Sequence, residues 1–164
     1  MRNLIFVAFV EPVADGLVFP RSEWPLHITL VRFDADDPAA EQVSVIAGPP
    51  AEAALGAGLT VGEDAGLGRN GSVSVNLIQP QPDLQALHER LVAAVGSLGG
   101  TILTPAHTMS GYRPHVSHHG GKRLNPGDAV VLDRIALVDM APDGDRTVRR
   151  ILQLWALPAT GSSV

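Results

Sequence analysis

Two short phrases in this sequence each place a histidine two positions before a hydroxyl residue. They are Pro25-Leu26-His27-Ile28-Thr29-Leu30 and Arg113-Pro114-His115-Val116-Ser117-His118, with the histidines 88 positions apart in a chain of 164 residues. In a β-strand, residues two apart share a face, so His27 would project with Thr29 and His115 with Ser117. Two such strands side by side would bring two imidazoles and two hydroxyls to one point. Those groups suit transfer at phosphorus without a metal. An imidazole with an ordinary pKa near 6.5 serves as base or acid around neutral pH. The hydroxyls can donate hydrogen bonds to non-bridging oxygens as charge builds on them.

A histidine followed by any residue and then Ser or Thr is a weak pattern by itself. Ser and Thr fill 16 of 164 positions, so each of the six histidines has about a one-in-ten chance of that neighbour. Context makes the pair more specific. Each phrase has a proline entry, a β-branched apolar residue between histidine and hydroxyl, and a setting that reads as a strand.

The elements that must carry these residues follow from apolar periodicity and from turn residues. Leu4 to Val10 reads as a first buried strand and Leu26 to Phe33 as a second, with a turn-rich link through Asp15-Gly16 and Pro20. Asp37 as an N-cap before Pro38 opens a short helix over 39–47, and Gly48-Pro49-Pro50 is expected to stop it. Residues 51–57 are alanine-rich and ambiguous. Leu59–Gly62 and Ser72–Ile78 read as a hairpin whose second arm puts Val73, Val75 and Leu77 on one face. Its glycine-rich connection precedes a strand, which argues against a phosphate-cradling loop.

Leu84, Leu87, Leu91, Val95 and Leu98 recur at helical spacing between Pro82 and Gly99-Gly100, which predicts a helix over 82–98. His88 falls within it beside the apolar stripe and reads as a satisfied, partly buried histidine. Beyond it come a short strand at Thr101–Leu103, a polar loop with Thr104, His107 and Ser110, and a strand over Tyr112–His118. Val130–Met140 and Val148–Leu157 form a last antiparallel pair across a turn at Pro142-Asp143-Gly144. This order is an α+β pattern. Residues 1–160 read as one domain and 161–164 as a flexible tail.

Composition narrows the function. The chain contains no cysteine, which removes disulfides, thiol nucleophiles and thiolate metal sites. The N-terminal apolar run is short, ends at Glu11 and has no convincing cleavage site, so a strand is favoured over a signal peptide. No apolar stretch approaches the ~20 residues of a membrane span. A cytoplasmic protein without a membrane partner is the expectation. The net charge of −5 argues against binding an extended nucleic-acid duplex. Local basic residues remain at Lys122, Arg123, Arg146, Arg149 and Arg150, where solvated surface is the simpler reading for most.

On His27-Ile28-Thr29-Leu30 and His115-Val116-Ser117-His118, the sequence resembles the 2H phosphoesterase superfamily, which includes 2′-5′ RNA ligase-like proteins and RNA 2′,3′-cyclic phosphodiesterases. The likeness extends to the N-terminal strand, the 82–98 helix and the stretch from Ile135 to Trp155. His118 departs from it, standing where the family has an apolar residue. The resemblance implies a bilobal, pseudo-symmetric α+β fold with two mainly antiparallel sheets flanked by helices and a site in the cleft between the lobes. It implies His27 and His115 as catalytic residues and Thr29 and Ser117 as phosphate-binding ones.

It also implies a metal-independent phosphodiesterase acting on 2′,3′-cyclic phosphates, 2′-5′ linked RNA ends or small nucleotides, with 2′-5′ ligation as the reverse reaction. No cofactor is expected, and the chain is expected to act as a monomer on RNA ends or a small nucleotide. Which histidine is the acid stays open. Tyr112, Arg113 and His118 are candidate substrate contacts. Tyr112 or Trp24 could stack on a base, with core packing as the alternative, and Trp155 reads as core. Two other readings compete. One is a metal site built from the cluster His115, His118 and His119, with Asp34, Asp36 and Asp37 as a separate carboxylate group. The other is a nucleotide-binding module that senses a ligand in the same cleft without cleaving it.

Overall fold

The structure is a computed structural model that describes residues 1–158. The flexible-tail expectation for 161–164 lies outside those residues. In chain order the strands and helices are β1 (Arg2–Phe9), β2 (Val18–Pro20), β3 (His27–Ala35), α1 (Asp37–Ile46), α2 (Gly48–Ala54), β4 (Gly58–Leu67), β5 (Val73–Ile78), α3 (Pro82–Ser97), β6 (Thr101–Ile102), β7 (His115–Ser117), β8 (Ala129–Val131), β9 (Arg134–Asp139) and β10 (Val148–Ala156).

The strands run in the order β2-β10-β9-β1-β3-β7-β5-β4-β8, every neighbouring pair antiparallel. This is the two-lobed architecture expected from the sequence. One lobe is β2-β10-β9-β1-β3 and the other is β7-β5-β4-β8. They meet edge to edge at β3 and β7 through the single residue pair Ile28↔Val116. The two sheets therefore form one continuous, curled path.

Apolar residues on both faces explain why the first lobe holds. Leu4, Phe6, Ala8, Ile28 and Phe33 face the main core, where Leu84, Leu87, Leu91 and Val95 of α3 pack against them. Ile5, Val7 and Phe9 face the other way into a smaller core with Phe19, Trp24, Val138 and Ile151. Phe6 lies between Phe33 and Trp155, with ring centroids 5.6 and 6.3 Å away; Trp155, expected in the core, is only partly buried and packs against it.

Several boundaries differ from the sequence reading. The N-cap of α1 is Asp36, whose side chain accepts from Ala39 N–H at 2.8 Å, so Pro38 sits one position further into the first turn. Gly48-Pro49-Pro50 starts α2 rather than closing the helical region, because proline is tolerated where a helix leaves its first N–H groups unpaired anyway. The single strand expected over Val130–Met140 is two strands that serve different lobes: β8 pairs with β4, and β9 with β1. The chain turns between them at Leu132, which is buried and exchanges backbone hydrogen bonds with Gly56 and Ala57. The helix expected over 82–98 is present: Gln81 caps Leu84 N–H, and Gly99 adopts φ +77° just past the end. At Gly100 a Cβ would come within 2.6 Å of Val95, so that close turn requires glycine. Among the described residues no helix is long and apolar enough to cross a membrane.

The outer edge of β3 is paired at both ends but open in the middle. Ile28 pairs with Val116 of β7, while Phe33 and Asp34 pair with Ile102 and Thr101 of β6. Between them the register of β1 skips from Val7↔Thr29 to Phe6↔Val31, which makes Leu30 the extra residue of a β-bulge. A bulge carbonyl needs a partner from elsewhere. His88, fully buried on α3, supplies it: its Nδ1 donates to Leu30 O at 2.6 Å, and its Nε2 accepts from Met109 N–H at 2.9 Å. The adjacent carbonyl, Thr29 O, accepts from the Tyr112 hydroxyl at 2.7 Å. Tyr112 and His88 stack with ring centroids 3.9 Å apart.

His88→Ala strips the Leu30 carbonyl and the Met109 N–H of their partners, at roughly 1–3 kcal/mol for each buried group. The expected loss is about 2–4 kcal/mol in urea denaturation. A loss below ~0.5 kcal/mol, the range of a neutral surface substitution, would contradict this role.

Candidate functional site

The seam between the lobes builds the site. Antiparallel register at Ile28↔Val116 sets His27 opposite Ser117 and Thr29 opposite His115 when it is carried one residue in each direction. Directly opposed residues on one face have Cβ atoms about 4.5–5.5 Å apart. Ile28 and Val116 point into the main core and are fully buried, so their four neighbours must point the other way, toward the cleft. The structure thus brings together the quartet His27, Thr29, His115 and Ser117. A local two-fold relates its two halves.

The two-fold extends to how each imidazole is held. His27 Nδ1 lies 2.8 Å from Pro25 O, and His115 Nδ1 lies 2.8 Å from Arg113 O, in each case the carbonyl two residues earlier. A carbonyl only accepts, so each Nδ1 carries the proton and donates it. Among the described residues both Nε2 atoms are then left without a hydrogen-bond partner. When the ring is neutral Nε2 is a base, and when the ring is protonated it is an acid.

The surroundings of the two rings are not symmetric. Trp24 lies over His27 with ring centroids 4.4 Å apart, and Phe9 approaches its edge at 6.1 Å. Burial pushes the His27 pKa down to about 4, with the nearby charges of His119 and His115 adding to the effect. His27 is therefore neutral at pH 7. The contact of His115 with Arg113 O lies in solvent, whereas that of His27 with Pro25 O is partly buried.

His119 is a neighbour that sequence reasoning placed only in a metal cluster. Its ring centroid is 6.1 Å from that of His27. A tight turn delivers it: His119 and Lys122 exchange both backbone hydrogen bonds around Gly120-Gly121, with Gly120 at φ +59°. Lys122 Nζ reaches Glu11 of the other lobe at 2.8 Å, and the same carboxylate accepts from Leu26 N–H, one residue before His27. Burial opposes ionisation of Glu11, but the hydrogen bonds from Lys122 and Leu26 outweigh it and hold its pKa below the ordinary carboxyl value. Burial, then the Lys122 charge, lowers that of His119.

Of the candidate substrate contacts, Arg113 is exposed at the mouth of a cavity of about 370 Å³ that Thr29 and His115 also line. Tyr112 borders the same cavity, but its ring is stacked on His88 and its hydroxyl is bound to Thr29 O. Burial raises the phenol pKa well above its ordinary value, so it remains a neutral donor. His118 does not join the quartet. Strand alternation turns it to the opposite face, where its Nε2 lies 2.8 Å from Asn76 Oδ1 and Asn76 Nδ2 donates to Asp64 at 2.6 Å. The sequence triplet His115, His118 and His119 is thereby split between two faces. Trp24 is buried against Phe19 and His27, the core-packing alternative of its two readings.

Neither a family model nor a curated protein matches the sequence. Solved structures do match the fold. Escherichia coli LigT complexed with NADP+ is 18% identical at a TM-score of 0.62, covering 96% of this chain and 98% of that one. TT0787 of Thermus thermophilus is 18% identical at 0.59, covering 96% and 99%. The MHV ns2 PDE domain is 13% identical at 0.50, covering 80% and 99%. The likeness is one of fold, and with the first two it extends over nearly the whole chain.

The depressed His27 pKa makes stability depend on pH. An unfolded histidine titrates near 6.5, so between pH 6.5 and about 4 the unfolded chain binds a proton that folded His27 does not. The contribution is complete above pH 6.5 and is lost as pH falls toward 4, by on the order of 3 kcal/mol. His27→Gln should flatten the slope of unfolding free energy over that window relative to the wild type. Parallel slopes for the two proteins would show that His27 is not held neutral.

Proposed function

We propose that this protein is a 2H-type phosphodiesterase that opens 2′,3′-cyclic phosphates of RNA ends or small nucleotides by two-histidine acid–base catalysis. One observation carries the reading: a single antiparallel register opposes two His-x-Thr/Ser units, each imidazole held through Nδ1 with Nε2 free. The fold neighbours lend support, since one is described as a phosphoesterase, another as a PDE domain, and LigT structures hold NADP+, 3′-AMP or ATP.

In this mechanism the substrate phosphorus sits between the two Nε2 atoms. His27, neutral at pH 7, takes a proton from water, and the water oxygen forms the new bond to phosphorus. The bond from phosphorus to the ribose 3′ oxygen breaks, and His115, entering protonated, gives its Nε2 proton to that oxygen. The product is a 2′-phosphate beside a free 3′-hydroxyl. Thr29 and Ser117 donate to the non-bridging oxygens, whose charge grows toward the transition state. Run backwards, His27 and His115 exchange roles. The cavity beside Thr29 and His115 has polar groups from Thr104, His107 and Thr108 and apolar walls from Leu30, Val31 and Val73, a setting that suits a nucleobase. The monomeric state, the RNA-end partner and the cytoplasmic location belong to this proposal too.

The test is turnover of nucleoside 2′,3′-cyclic phosphates, with 2′-5′ and 3′-5′ linked dinucleotides and cyclic dinucleotides alongside, in excess EDTA. The expected result is a 2′-phosphate product from the cyclic monophosphates. His27→Ala and His115→Ala should each abolish it with an unchanged circular-dichroism spectrum. Thr29→Val and Ser117→Ala should each lower kcat by about 10²–10³. Full activity in either folded histidine variant would overturn the mechanism. Nucleotide binding without turnover by the wild type would make the chain a sensing module instead.

A further inference from the structure

A cavity of about 990 Å³ lies away from the histidines and shares no lining residue with the cavity beside Thr29 and His115. Three of its arginines, Arg21, Arg32 and Arg149, come from separate segments but share one face. Arg149 of β10 is paired with Phe19 of β2, and Arg21 follows two residues after Phe19. Arg32 of β3 is paired with Ile5, which packs with Phe19 in the smaller core. Phe19 and Trp24, 5.0 Å apart, stand between this cluster and His27. A ligand here is not the phosphate held by the histidines.

The charges around this cavity do not balance. Six arginines line it against four carboxylates, a local positive excess in a chain of net charge −5. Arg2 engages two of those carboxylates, Asp139 at 2.7 Å and Asp37 at 3.8 Å, and Arg150 reaches Asp143 at 3.5 Å. Arg21, Arg32 and Arg149 have no carboxylate within 4 Å among the described residues. Arg149 is fixed in place by its Nη1, which donates to the carbonyls of Met140, Arg146 and Val148 at 2.6–3.1 Å. Its Nε is buried with no acceptor. Burial and the charges of Arg21 and Arg32 both act against its guanidinium. Three neighbouring guanidiniums without a carboxylate counter-charge make the pocket strongly positive, which favours an anion there.

We propose that this cavity is a second anion site, which takes a phosphate-bearing small molecule through Arg21, Arg32 and Arg149. Guanidinium groups match phosphate oxygens with paired donors, and three of them call for a multiply charged oxyanion rather than a single carboxylate. The volume admits a diphosphate or triphosphate group with its organic substituent. Such a ligand relieves the repulsion among the arginines and so stabilises the fold by mass action.

Inorganic pyrophosphate, titrated calorimetrically into the metal-free His27→Ala/His115→Ala protein, tests this with the histidine cleft disabled. Pyrophosphate should bind with one-to-one stoichiometry and raise Tm, and citrate should bind at least tenfold more weakly. Adding Arg21→Ser and Arg32→Gln should weaken pyrophosphate at least tenfold while leaving the ligand-free Tm equal or higher, because two repelling cations are gone and the carbonyl contacts of Arg149 remain. ATP in a further titration shows whether the site accepts a phosphate chain with a nucleoside attached. No pyrophosphate binding, equal binding after the arginine substitutions, or citrate binding as tightly would each overturn the proposal. Failure here leaves cyclic-phosphate turnover untouched, since none of these arginines is placed at the histidines.

Discussion

Everything at the site depends on one backbone register. A strand's side chains alternate faces with period two, so sliding β7 by one residue against β3 would bury His115 and Ser117 and expose Val116. The two fully buried residues at the seam, Ile28 and Val116, forbid that slip because both belong to the main core. The apolar residue in the middle of each phrase is therefore not a spacer. It anchors the register, and the polar residues on either side are aimed by its burial. This also explains why a seam of one residue pair suffices to position four groups from strands far apart in sequence.

A seam that short leaves the edge of β3 unpaired between β7 and β6, where the bulge at Leu30 falls. Two side chains complete it. His88 and Tyr112 take the carbonyls of Leu30 and Thr29, stack on each other, and tie α3 and the segment before β7 to the strand that carries His27 and Thr29. His88 also accepts from Met109 N–H, with Met109 held at φ +57°. The open edge is thus satisfied without closing the lobes, and the space left beside it is the cavity next to Thr29 and His115. The opening and the hydrogen bonds that permit it share one cause.

The legible parts of the sequence are those with a period. The apolar stripe from Leu84 to Val95 marks α3, and the two histidine phrases mark β3, β7 and the quartet. What the sequence hides is set by partners rather than by local pattern. Nothing in Val130–Met140 says that its first residues pair with β4 and the rest with β1, because the break rests on backbone bonds from Leu132 to Gly56 and Ala57. Gly48-Pro49-Pro50 carries the same residue types whether it ends a helix or begins one. His88 reads correctly as satisfied, but its partners lie 58 and 21 positions away and leave no trace in its neighbourhood. The approach of His119 to His27 is equally invisible, because a turn crossing the cleft makes it.

The asymmetry between the two halves gives a symmetric backbone two unlike imidazoles. The register and the Nδ1 contacts treat His27 and His115 alike. Two identical imidazoles would share protons equally, and neither would be reserved as base. The smaller core breaks the tie. Its Trp24 covers one face of His27, Phe9 meets the ring's edge, and His119 adds a third imidazole nearby, all from segments with no counterpart beside His115 among the described ring contacts. Desolvation then favours the neutral form of His27. The second core therefore does more than support the far side of the sheet: it holds one member of a symmetric pair in its neutral form.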